Sequence, residues 1–70
     1  MNRDVAEHVN RLMLDTCRKL DESVAFVMKE SSEEELRTYR RAIGKIMSGL
    51  FDIAETVYAE HPDLKPKELD

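Results

Sequence analysis

Lys29-Glu30-Ser31-Ser32-Glu33-Glu34-Glu35-Leu36 decides the fold of this chain, because it joins two long helical patterns with no glycine or proline between them. Ser32 and Glu35 have the spacing of a capping box, in which the serine oxygen accepts a free backbone N–H and the glutamate reaches back to the cap. Ser31 and Glu34 repeat that spacing one residue earlier. A single continuous rod is the rival, and helical phase argues against it. Continuing Ala6, Met13, Leu20 and Val27 by sevens lands on Glu34, Arg41 and Ser48, whereas the apolar stripe beyond the serines runs through Leu36, Ile43 and Leu50. That slip of two residues is about 200° of rotation, so an unbroken helix would carry its stripes on opposite faces. A turn over residues 30–32 restores one common core.

Downstream of the turn, Leu36, Tyr39, Ile43, Ile46, Leu50, Ile53 and Val57 alternate at three and four residues, the period of one helical face. Met47, Phe51, Ala54 and Tyr58 form a second row beside them. This helix is expected over about residues 33–60, since Pro62 disfavours helical geometry at His61. Upstream, a helix over about residues 3–29 is expected, capped by Asn2, with Asp4 and Glu7 near its positive end. Its inner stripe is Ala6, Val9, Met13, Cys17, Leu20, Val24 and Val27, widened by Val5, Leu12 and Phe26. The expected organisation is a hairpin over residues 1–61 followed by an extended tail over 62–70, anchored by Leu64 and frayed at its end.

Seventy residues make one small domain with little core of its own, and such scaffolds lean on disulfides, metals or oligomers. Cys17 is the single cysteine, which rules out an intrachain disulfide. Two antiparallel helices cover one face of each other and leave the second apolar rows bare. The expected fold is therefore all-α, an antiparallel two-helix hairpin pairing into a dimeric four-helix bundle. The net charge of −4 argues against a general nucleic-acid binder. No secretory signal pattern opens the sequence, and Val24–Met28 is far shorter than the ~20 apolar residues of a membrane span. A cytoplasmic setting without membrane contact is the expectation.

Chemistry has little support. His8 and His61 are the only histidines, and the Glu-x-x-His pattern of di-iron bundles is missing because Val5 and Tyr58 stand three residues before them. Asp4 and His8 share a helical face but read more simply as a surface ion pair. Asp52 and Glu55 lie one turn apart, as many solvated acidic pairs do. Cys17 sits on an apolar stripe, where packing explains it better than nucleophilic chemistry. Phosphate-loop, dinucleotide and zinc-ribbon signatures are absent. No catalytic residue, metal or cofactor is expected.

Arg37, Arg40, Arg41 and Lys45 are the one feature with functional colour, outward on the second helix with Gly44 among them. A glycine inside a helix is about 1 kcal/mol worse than alanine. Gly49 has a packing reason in the small row Ala42, Gly49 and Thr56, which lets a neighbouring helix approach. Gly44 lacks one, and a partner backbone or an anion could sit against it. The plainer reading is a solvated face, with Glu33 paired to Arg37 at the favourable spacing. Tyr39-Arg40-Arg41, Gly44-Lys45 and His61-Pro62-Asp63-Leu64-Lys65-Pro66 resemble a group of short bacterial proteins without assigned function. The resemblance covers the second half of the chain and implies a small bacterial helical protein, with no activity attached. The functional expectation is a non-enzymatic protein–protein interaction module, a regulator, adaptor or inhibitor acting as a homodimer. The alternative is a nucleic-acid-associated protein using Arg37, Arg40, Arg41 and Lys45 against phosphates.

Overall fold

Asn2 and Ser32 start the two helices in the same way, each with a side-chain oxygen accepting a backbone N–H three residues on. The computed structural model describes residues 1–66. Helix α1 runs Arg3–Glu30 and helix α2 runs Glu33–Glu60, followed by a 3₁₀ turn at Pro62–Leu64. The chain is an all-helical hairpin with no strand among the described residues.

Two extended residues make the reversal. Ser31 closes α1 by donating its N–H to the Val27 carbonyl at 2.9 Å, with φ −132° and ψ 170°. Ser32 follows at φ −73° and ψ 164° and opens α2 with both halves of the capping box. Its Oγ accepts from the Glu35 N–H at 3.2 Å, and Glu35 Oε1 accepts the Ser32 N–H at 3.3 Å. Both conformations suit ordinary L-residues, so the turn needs neither glycine nor proline.

α1 meets α2 along the stripe expected of it. Ala6 and Met13 are buried, while Val9, Cys17, Leu20, Val24 and Val27 are half-buried. α2 differs. Ile43 and Val57 are buried and Leu36, Tyr39, Met47, Leu50, Ala54 and Tyr58 half-buried, but Ile46 and Ile53 stay 49% and 45% exposed. The contact is rotated toward the Met47–Ala54–Tyr58 side of the apolar arc. One neighbouring helix covers a strip narrower than that arc, so the far edge is left outside. Phe51, at the opposite edge, is also exposed.

The core concentrates at the end away from the turn. Val9, Leu50, Ala54, Tyr58 and Leu64 pack on Ala6, Met13 and Val57. Here the expectation of extended chain from Pro62 is corrected. Pro62 opens the 3₁₀ turn, the Leu64 and Lys65 N–H groups donate to the His61 and Pro62 carbonyls, and Leu64 folds back onto the helices. Asn10 Nδ2 donates to the Leu64 carbonyl at 3.3 Å, and Arg3 Nη2 pairs with Asp63 Oδ2 at 2.7 Å. The frayed end expected over residues 67–70 lies outside the described residues. Among the described residues, no helix is long and apolar enough to cross a membrane.

Candidate interaction site

Arg37, Arg40, Arg41, Gly44 and Lys45 all lie exposed on α2, forming a ridge on its outer side. Each position follows from the seam. Fixing Ile43 inward turns Arg41, Gly44 and Lys45, one or two residues away, outward by about 100° per residue, and Arg37 stands outward one residue past half-buried Leu36. Arg40 sits nearest the seam, its Nη2 4.0 Å from the Met28 Sδ of α1. A shallow depression between Glu33, Leu36, Arg37 and Arg40 opens beside it.

The ridge contrasts with the chain's paired cations, although Arg11 and Lys29 also form no salt bridge among the described residues. Arg3 holds Glu7 and Asp63, Arg18 holds Asp15 and Glu22, and Lys19 holds Asp15 at 3.2 Å. These contacts draw the Asp63 carboxyl below its ordinary value through the Arg3 guanidinium, and the Asp15 carboxyl likewise through Arg18 and then Lys19. Among the described residues, none of Arg37, Arg40, Arg41 and Lys45 forms a salt bridge. The expected Glu33–Arg37 pair is therefore not made. Three guanidinium forks and an ammonium stand ready for carboxylate or phosphate oxygens, which guanidinium recognises in a planar, two-point fashion.

Gly44 sits bare on this ridge. A Cβ built there meets no heavy atom within 4 Å, so nothing inside the chain requires glycine. The same holds at Gly49, where α1 does not make the close approach expected of a neighbouring helix.

The other sequence candidates stay apart. His8 and Asp4 are exposed, and among the described residues no group of three or more His, Cys, Asp or Glu side chains could hold a metal ion. Cys17 is half-buried in the seam, and burial pushes its thiol up, away from the thiolate a nucleophile needs. Asp52 and Glu55 are solvated.

One constellation escapes reading by motif: the polar clasp joining the two ends of the hairpin. Tyr58 Oη donates to Asn10 Oδ1 at 2.6 Å, Asn10 holds the Leu64 carbonyl, and Arg3 holds Asp63. Helices of equal length about a short turn bring their outer ends together, and that pairing was the available signal. Tyr39 makes the matching contact nearer the turn, 2.7 Å from Ser23 Oγ.

No family model matches the chain, no curated protein matches it in sequence, and no solved structure matches it in fold. The functional reading therefore rests on the chain's own surface.

Proposed function

We propose that this chain is a non-enzymatic interaction module that works as a homodimer and offers the Arg37, Arg40, Arg41 and Lys45 ridge to an acidic protein partner. The observation that carries the reading is the ridge itself: four exposed cations on one helix, unpaired among the described residues, around a glycine with open space where its side chain would be. Unpaired guanidinium groups in a net-acidic chain give a directional contact for carboxylates instead of a generally basic surface. A regulator, adaptor or inhibitor of a bacterial cytoplasmic partner fits this chemistry, and the lone unpaired Cys17 suits a reducing compartment.

Arg40→Glu with Arg41→Glu tests it by affinity capture from the native host at matched salt. Loss of a protein captured by the wild type, with helix content unchanged, is expected. Equal capture by wild type and variant contradicts the ridge as the contact. The same ridge also suits phosphates, two copies per dimer, and this second reading has its own signature. Retention of RNA or DNA that falls steeply between low and high salt favours it over a protein partner.

A further inference from the structure

The hairpin has two flanks, and three side-chain contacts between the helices fix which residues share each. Tyr39 of α2 reaches Ser23 of α1, so these two mark one flank. Ile46 and Ile53 follow Tyr39 at intervals of seven, while Val5 stands five helical turns before Ser23, Leu12 seven after Val5, and Phe26 one turn after Ser23. Val5, Leu12, Phe26, Ile46 and Ile53 thus stand together on one side, each between 45% and 66% exposed. The opposite flank is marked by Arg40 against Met28 and Tyr58 against Asn10, and the basic ridge begins there. That second flank is partly covered by the chain itself, where the Pro62–Leu64 turn folds over Asn10 and Tyr58.

We propose that a second copy of this chain covers the flank of Val5, Leu12, Phe26, Ile46 and Ile53, completing a four-helix bundle with the two basic ridges turned outward. This rests on the homodimer reading and names the surface that forms it. Area supports a second copy as the occupant. The chain exposes 5403 Å². A compact monomer of 8.1 kDa exposes about 4,500 Å², on the scaling of surface with mass. The excess of about 900 Å², spread over the whole elongated hairpin, leaves room for an interface of the roughly 800 Å² that each partner buries in a standard case. A self-complementary apolar strip running along both helices is what a two-fold interface requires.

Some polar groups on this flank are already held, while His8, five turns before Phe26, and Glu30, five turns after Leu12, stand exposed along it. Lys19 falls in the Val5–Leu12–Phe26 row, but its ammonium lies on Asp15 at 3.2 Å, at the outer edge of the helix. Glu60 bonds the Met1 amine, and Glu35 is engaged in the capping box. Gly49 and Ala42 lie beside Ile46 and Ile53, and the Gly49 Cβ position is empty within the chain. Close approach of a second backbone accounts for a glycine that the chain's own packing leaves unexplained.

Intermolecular NOEs in a dimer mixed from isotope-labelled and unlabelled chains read the interface without any substitution. Cross-peaks joining Leu12, Phe26, Ile46 and Ile53 of one chain to the same set on the other are expected. Leu12→Glu with Ile46→Glu should reduce the sedimentation mass from twice 8.1 kDa to 8.1 kDa, while Phe51→Glu, on the opposite flank, leaves the dimer intact. A dimer whose intermolecular cross-peaks come from Leu14, Met28 and Phe51 overturns this surface and leaves the homodimer reading standing. A wild-type chain that sediments as a monomer at the concentration of the NMR sample overturns both.

Discussion

Gly44 is the residue where stability and binding separate most cleanly. Its Cβ position is open, so Gly44→Ala meets no steric cost within the chain and should stabilise the helix by up to about 1 kcal/mol in thermal or denaturant unfolding. If a partner lies against the ridge, the same methyl weakens capture. A rise in stability with unchanged capture would remove Gly44 from the contact. Arg40→Glu with Arg41→Glu should act in the reverse sense, shifting unfolding by only tenths of a kcal/mol, about what exposed charges are worth, while abolishing capture. Most of this site could be read from sequence, because outward positions on α2 follow once the inward ones are known. The Glu33–Arg37 pair could not, since helical spacing makes such a pair possible without making its contact favourable over hydration.

The turn and the clasp carry the predictions that belong to the elements. Ser32→Ala removes a cap whose two hydrogen bonds are both present, and should cost about 1 kcal/mol in unfolding free energy with helix content retained. A longer, rod-like particle from this variant would mean the turn is held by Ser32 alone. The clasp answers to acid. Arg3 holds Asp63 below its ordinary value of 3.8, so its contribution is present above that value and lost as the pH falls through the lower folded-state value. Amide protection at residues 61–66 should fall in that acid range before the far-ultraviolet helix signal does. Simultaneous loss of both would make the 3₁₀ turn inseparable from the helices. The caps and the α1 stripe were legible because each depends on a few neighbouring residues. The seam on α2 was not: Ile53 through Leu50 to Tyr58 spans an arc of about 140°, and which part faces α1 depends on how the two helices roll together. The 3₁₀ turn escaped for a related reason, because its partners Arg3 and Asn10 lie at the far end of the sequence.

At the scale of the whole molecule, the hairpin measures 44 × 21 × 16 Å with a radius of gyration of 14.3 Å, against about 11 Å for a compact domain of this length. Among the described residues, only Ala6, Met13, Ile43 and Val57 are buried. So thin a core offers little against chain entropy of about 1–2 kcal/mol per ordered residue, and the apolar rows left outside are the remaining source of stability. Self-association and folding should then be one process, with no folded monomer in between. Sedimentation equilibrium with circular dichroism on the same dilution series tests this most directly. A mass of twice 8.1 kDa at high concentration, with helicity lost in step with mass on dilution, is the expected result. A fully helical species of 8.1 kDa that persists on dilution would contradict it.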